Sequence, residues 1–167
     1  MNQEILDLIE ETRALQSPYK LQSPALAQEI QVLEQQAATQ LSYSPPSFYL
    51  ELLRTTDGMD CNDFQLYASK TQKMVGFEER EGYLILGLVE ANTLWRQYEP
   101  NKQYAFLAES GDVLYCHNLA TNKFEIVDRV TKELTYAPSS FDTCEALLKT
   151  LLNHMLDRYD VEEEADA

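Results

Sequence analysis

The spacing of apolar residues changes after Pro100 from a helical period to a period of two, and this change limits the folds open to the chain. Beyond that point Tyr104 to Ala108, Val113 to His117, Phe124 to Asp128 and Leu134 to Tyr136 are four apolar segments of strand length. Ser110-Gly111-Asp112, Ala120-Thr121-Asn122 and Val130-Thr131-Lys132 fall between them as turns. Connections this short force neighbouring strands to run antiparallel, because a parallel return needs a dozen residues or more. The segment therefore predicts a meander.

Before Pro100 the pattern is mainly helical. Ile5, Leu8, Ile9 and Leu15 recur at helical spacing among acids, which predicts an amphipathic helix from Asn2 to Gln16, ended by Ser17-Pro18. Ser23 as N-cap and Pro24 at the first helical position open a second helix, with Leu26, Ile30, Leu33 and Ala37 on one face, running to about Gln40. Ser44-Pro45-Pro46 opens a third, whose apolar face is Tyr49, Leu52 and Leu53 and which Gly58 stops. Met59 to Asp63 reads as a loop, and Phe64, Leu66 and Ala68 as one face of a short strand. Ser69 to Gly82 reads as polar connection. From Tyr83 to Tyr98 a strand over Tyr83 to Leu86 competes with a helix carrying Leu84, Leu88, Ala91 and Trp95, and helix is expected for the later part.

Asp142 as N-cap, Glu145 three residues on and Phe141 before them form a capping box with a hydrophobic staple. The helix they open buries Leu147, Leu148, Leu151, Leu152 and Met155. Helices, a meander and a closing helix give an α+β fold, an antiparallel meander sheet packed with flanking N-terminal and C-terminal helices. A chain of 167 residues suits one domain, expected over residues 1–159, with an acidic tail over 160–167.

Charge narrows the functions. Asp and Glu number 28 against 13 Lys and Arg, a formal net charge of -15, so a phosphate backbone or an anionic membrane is repelled and a basic partner is attracted. No apolar run approaches the length of a membrane span. The opening Met-Asn-Gln-Glu-Ile lacks the basic start and apolar core of a secretory signal, and Cys61, Cys116 and Cys144 have no zinc or redox spacing. Reduced thiols in a cytoplasmic protein are expected.

The residues that invite chemistry each have a simpler reading. Cys116 and His117 are adjacent, but in a strand they face opposite sides and cannot pair. Cys144 lies in the first turn of the last helix, where the dipole would lower its pKa and Asp142 and Glu145 would raise it again, so it reads as structural. Asp57, Asp60, Asn62 and Asp63 offer oxygen ligands, yet Gly58 is second rather than sixth in the run, unlike an EF-hand loop. No metal or other cofactor is expected. Trp95 and the tyrosines around it read as core rather than as a ligand pocket. Phosphate-binding, dinucleotide, zinc-protease and serine-hydrolase motifs are absent from the sequence. A binding protein without catalytic residues fits this inventory better than an enzyme using paired carboxylates or Cys116.

The run Pro45-Pro46-Ser47-Phe48-Tyr49-Leu50-Glu51-Leu52-Leu53, then Thr56-Asp57-Gly58 and Phe64-Gln65-Leu66-Tyr67, resembles the proline-led helix, turn and strand of the SUKH superfamily (the Smi/Knr family), most of all its YrhA-type branch. Val89 to Arg96, Phe106 to Asp112, and Phe124 to Arg129 leading to Ser140-Phe141-Asp142 are similar to further blocks of that pattern, in order over residues 20 to 158. Asp57 stands where the family often has Asn, and Ala108 where Gly is common. The resemblance implies an α+β domain and, as in many bacterial members, an immunity protein that neutralises a cognate toxin, often a nuclease.

Charge and resemblance converge on one expectation. A nuclease needs a basic surface for its substrate, and an acidic protein of complementary shape can occupy that surface instead. Asp57, Asp60, Asp63, Glu78, Glu79, Glu109 and Asp112, on acidic loops, are the candidate partner-binding residues. The rival expectation is an intracellular scaffold or regulatory interaction module, for which the same acids serve as a solvated surface.

Overall fold

The computed structural model describes residues 1–15, 21–76 and 83–159. Helix α1 (Gln3–Leu15) buries Ile5, Leu8 and Ile9, as their spacing requires. Helix α2 (Ala27–Gln36) starts later than Ser23-Pro24 suggests. Ala25 N–H donates to the Leu53 carbonyl at 2.8 Å and Asp57 N–H to the Ser23 carbonyl at 3.0 Å, so residues 23–25 are held extended against the end of the next helix. Glu29 Oε1 accepts the Leu26 N–H at 3.0 Å, half of a capping box, since leucine has no acceptor to complete it. A π-helical turn, Ala37–Leu41, carries α2 on to a left-handed Ser42.

Helix α3 (Ser47–Leu53) follows Pro46 and buries Tyr49, Leu52 and Leu53. It ends before Gly58, which adopts φ +81° at the entry to strand β1 (Met59–Cys61) instead of closing the helix. The span read as a loop is thus a strand. Asn62 and Asp63, with φ of 50° and 67°, make the left-handed two-residue turn that suits a hairpin, and β2 (Phe64–Leu66) returns with Cys61 opposite Phe64. The polar connection after Ser69 also contains structure. Gln72–Lys73 (β3) pairs antiparallel with Leu84–Ile85 (β4), a two-stranded ribbon apart from the main sheet. Helix α4 (Leu88–Trp95) then covers the later part of the contested segment.

The meander is β5 (Tyr104–Glu109), β6 (Val113–Asn118) and β7 (Lys123–Asp128). Its last partner is β8 (Ser140–Phe141), not Leu134 to Tyr136. Leu134 makes one bridge to Val127, after which Tyr136 turns left-handed (φ 62°) and Pro138 offers no N–H, so the segment leaves the ladder. The antiparallel sheet has the order β1-β2-β5-β6-β7-β8, so the β1–β2 hairpin widens the meander.

Helix α5 (Cys144–Met155) is capped by Thr143, whose Oγ1 accepts the Ala146 N–H at 3.2 Å, one residue later than the expected Asp142. Asp142 pairs instead with Lys123 of β7. Leu147, Leu148, Leu151, Leu152 and Met155 are fully buried, as expected, each burial stabilising by roughly 1.5–3 kcal/mol. Tyr115 faces α5, where its hydroxyl shares a 2.6 Å hydrogen bond with His154 Nδ1. Where β2 ends beside β5, α4 takes over. Asn92 donates from Nδ2 to the Phe106 carbonyl and accepts the Phe106 N–H, both at 2.8 Å, acting as a strand partner would. The fold is α+β, an antiparallel sheet flanked by N-terminal and C-terminal helices.

Candidate functional site

Antiparallel order places three turns at one end of the sheet. Glu109 lies opposite Gln65, and Val113 opposite Asp128, so the Asn62-Asp63 turn, the Ser110–Asp112 turn and the loop after β7 share that end. The end of α5 joins them, since Asn62 Nδ2 donates to the Met155 carbonyl at 2.5 Å. Each turn is fixed locally. Ser110 Oγ accepts the N–H groups of Asp112 and Val113 at 3.3 and 3.1 Å. Arg129 Nη1 donates to Glu109 Oε2 at 2.8 Å and to the Ser110 carbonyl at 2.7 Å, tying β5 to the loop after β7.

Of the candidate acids, Asp60, Asp63, Glu109 and Asp112 are gathered at this end. Asp63 and Asp112 are exposed. Asp60, half-buried, accepts Gln65 Nε2 at 3.0 Å, and burial raises its carboxyl pKa. Asp60, Gln65 and Glu109 occupy one register row across three strands. Asp57 differs. It is buried, and its carboxylate accepts both the N–H and the hydroxyl of Ser69, so it fastens the chain internally and presents nothing at the surface. Glu78 and Glu79 lie outside the described residues, as does the acidic tail over 160–167.

Several residues at this end escaped the sequence reading. Asp128 accepts the N–H groups of Val130 and Thr131, both at 2.8 Å, and these two bonds hold its carboxyl below the usual range. Tyr136 and Tyr159 meet with ring centroids 5.4 Å apart and planes tilted by 43°, beside His154. The Asp-x-Val-Thr run was a legible signal for the first, because Asp commonly accepts N–H groups two and three residues on. The two tyrosines, 23 positions apart in sequence, gave none.

The thiols and histidines lie elsewhere and are engaged. Cys116 Sγ donates to the Glu125 carbonyl at 3.5 Å, and burial raises its thiol pKa far above the ordinary value. His117 faces the other side, stacked on Phe124 at 4.2 Å and hydrogen-bonded to Tyr43 and Asn122. Burial pushes the Cys144 thiol up to about 12, outweighing the hydrogen bond that opposes it. Trp95 packs beside Phe106, gives its Nε1 proton to Tyr67 Oη at 3.1 Å, and carries Arg129 and Lys132 over its ring at 4.9 and 5.6 Å. Among the described residues, no three His, Cys, Asp or Glu side chains converge as metal ligands, and no helix is long and apolar enough to cross a membrane.

The chain matches no protein-family model and no curated relative. What the geometry offers is an acidic, turn-built end of a sheet with exposed aromatic rings.

Proposed function

We propose that the chain is a cytoplasmic immunity protein of the SUKH type, which neutralises a toxin by stoichiometric contact and makes no bonds of its own. The observation that carries this reading is the gathering of the exposed Asp63 and Asp112 at one end of the sheet in a molecule of net charge -15. Strands β2 to β5 separate Asp63 from Asp112 in sequence, and the antiparallel register returns the two to one end. The blocks from Pro45 to Tyr67 and from Phe124 to Asp142, similar to the SUKH pattern, support the same reading.

The partner is a polypeptide with a basic surface, of the kind a nuclease needs to hold phosphate. Opposite fields raise the encounter rate, which suits a protein that must intercept a toxin before it reaches its substrate. Expression of the polypeptide encoded by the neighbouring gene, with and without this chain, tests the proposal. Growth arrest relieved by the chain, with a complex whose association slows as salt rises, is expected. A harmless neighbouring product overturns it.

A further inference from the structure

Tyr136 and Tyr159 are 40% and 39% exposed, yet both rings are held from beneath. Tyr159 stacks on the buried His154 imidazole, centroids 4.4 Å apart and planes 23° apart, and Tyr136 meets the same imidazole edge-on at 5.6 Å. His154 is fixed in turn by the Tyr115 hydroxyl and lies beside Phe64 at 6.3 Å. Tyr136 keeps its place with a left-handed backbone, φ 62°, a conformation unusual for so large a side chain. Two rings are thereby set at the surface in one arrangement, and tyrosine gives up little conformational freedom on binding.

The charge beside them is negative. Asp157 and Asp112 are exposed, and after burial and Tyr136 their fields raise the Tyr159 hydroxyl pKa. Asp63 belongs to the same end, through the bond from Asn62 to the Met155 carbonyl at the end of α5. The cations of the loop after β7 lie on the other side. Phe106 and Cys116 are register partners and share a face of the sheet, while Tyr115, next to Cys116 along the strand, projects from the opposite face towards His154. Arg129 and Lys132 lie over Trp95, which packs beside Phe106, so they sit on the face away from the two tyrosines. Arg158, adjacent to Tyr159 in the chain, is paired with Glu11 of α1.

We propose that Tyr136 and Tyr159 seat a lysine or arginine side chain of the cationic partner, its head group against the rings and Asp157 and Asp112 as counter-charges. This rests on the proposed immunity function and names the chemistry of its contact. A tyrosine ring attracts a cation through the negative potential of its face, and a neighbouring carboxylate adds to that attraction. A second copy of this chain, of net charge -15, would bring more acids than bases to the site.

The test measures binding of the full chain to the polypeptide encoded by the neighbouring gene, for wild type, Tyr159→Phe, Tyr159→Leu, the pair Asp112→Asn with Asp157→Asn, and, on α1, the pair Asp7→Asn with Glu10→Gln. A cation on the ring predicts a Kd raised about tenfold by Tyr159→Leu, which keeps apolar bulk and loses the ring, and held within about twofold of wild type by Tyr159→Phe, which keeps the ring. The Asp112 and Asp157 pair should raise Kd about tenfold, and the α1 pair, an equal change of charge at exposed positions, about twofold. Both acid pairs are solvent-exposed and should keep the wild-type melting temperature, so they decide the matter even where Tyr159→Leu unsettles the fold. Wild-type affinity in Tyr159→Leu, equal losses in Tyr159→Phe and Tyr159→Leu, or equal losses in the two acid pairs overturns the seat and leaves the immunity function standing. Failure of the wild-type chain to bind the neighbouring polypeptide overturns both.

Discussion

Asp57 and Ser69 are joined twice: Oδ1 accepts the Ser69 N–H and Oδ2 accepts the Ser69 hydroxyl, each at 2.7 Å and away from water. The pair closes the turn that follows α3 onto the start of the β3–β4 ribbon. Asp57→Ala leaves two buried donors without acceptors and is expected to cost about 2–4 kcal/mol, read as a lowered urea midpoint. Once folded, that variant should bind the proposed cationic partner as wild type does.

Asn92 joins α4 to β5 by two bonds, to both backbone groups of Phe106, and makes a third within α4 to the Leu88 carbonyl. Asn92→Leu keeps the branched outline of the side chain and strands the Phe106 N–H and carbonyl, so a loss of about 2–4 kcal/mol is expected. Hydrogen exchange should show the Phe106 amide exposed far more often, while Tyr115, in the middle of the sheet, stays protected. Equal protection at both positions would refute the strand-partner role.

The three cysteines are buried, and burial raises the pKa of Cys116 and Cys144. Since the thiolate is the reactive form, the native protein at about pH 8 should release almost no colour with a disulfide reagent over minutes. In urea, all three cysteines of the sequence should titrate. Rapid reaction of one native thiol would revive a nucleophilic role.

Asp60 and Asp128 move in opposite directions with acid. Burial lifts the Asp60 carboxyl above its ordinary 3.8, so its contribution to folding is full below that value and is lost as pH rises through the folded pKa. Asp60→Asn should therefore raise the denaturation midpoint at pH 7, with the gap to wild type closing towards pH 3. The Asp128 carboxyl is depressed by its two backbone bonds, so its contribution is present above 3.8 and fades as pH falls through the folded value. Midpoints measured from pH 3 to 7 check both signs.

The parts legible in the sequence are those with strong periodicity. Helix α5 shows five buried side chains on one stripe, and β5 to β7 are bracketed by turn residues, so both follow from spacing. Strand β1 does not, since two apolar residues around Asp60 make no pattern; the Asn62-Asp63 turn and the pairing with β2 create it. Nor does the β3–β4 ribbon, whose Gln72 and Lys73 look like loop. For the site, the acids themselves could be named in advance, but their grouping depends on strand register, and Asp57 is told apart from Asp63 only by Ser69, twelve positions away.

The sheet's outer strands, β1 of three residues and β8 of two, enclose β2 of three residues and three longer strands of six. An approaching copy finds too little open backbone on either flank to extend the ladder, and like charge pushes it back. The chain can thus reach high concentration without its sheet edges seeding fibres.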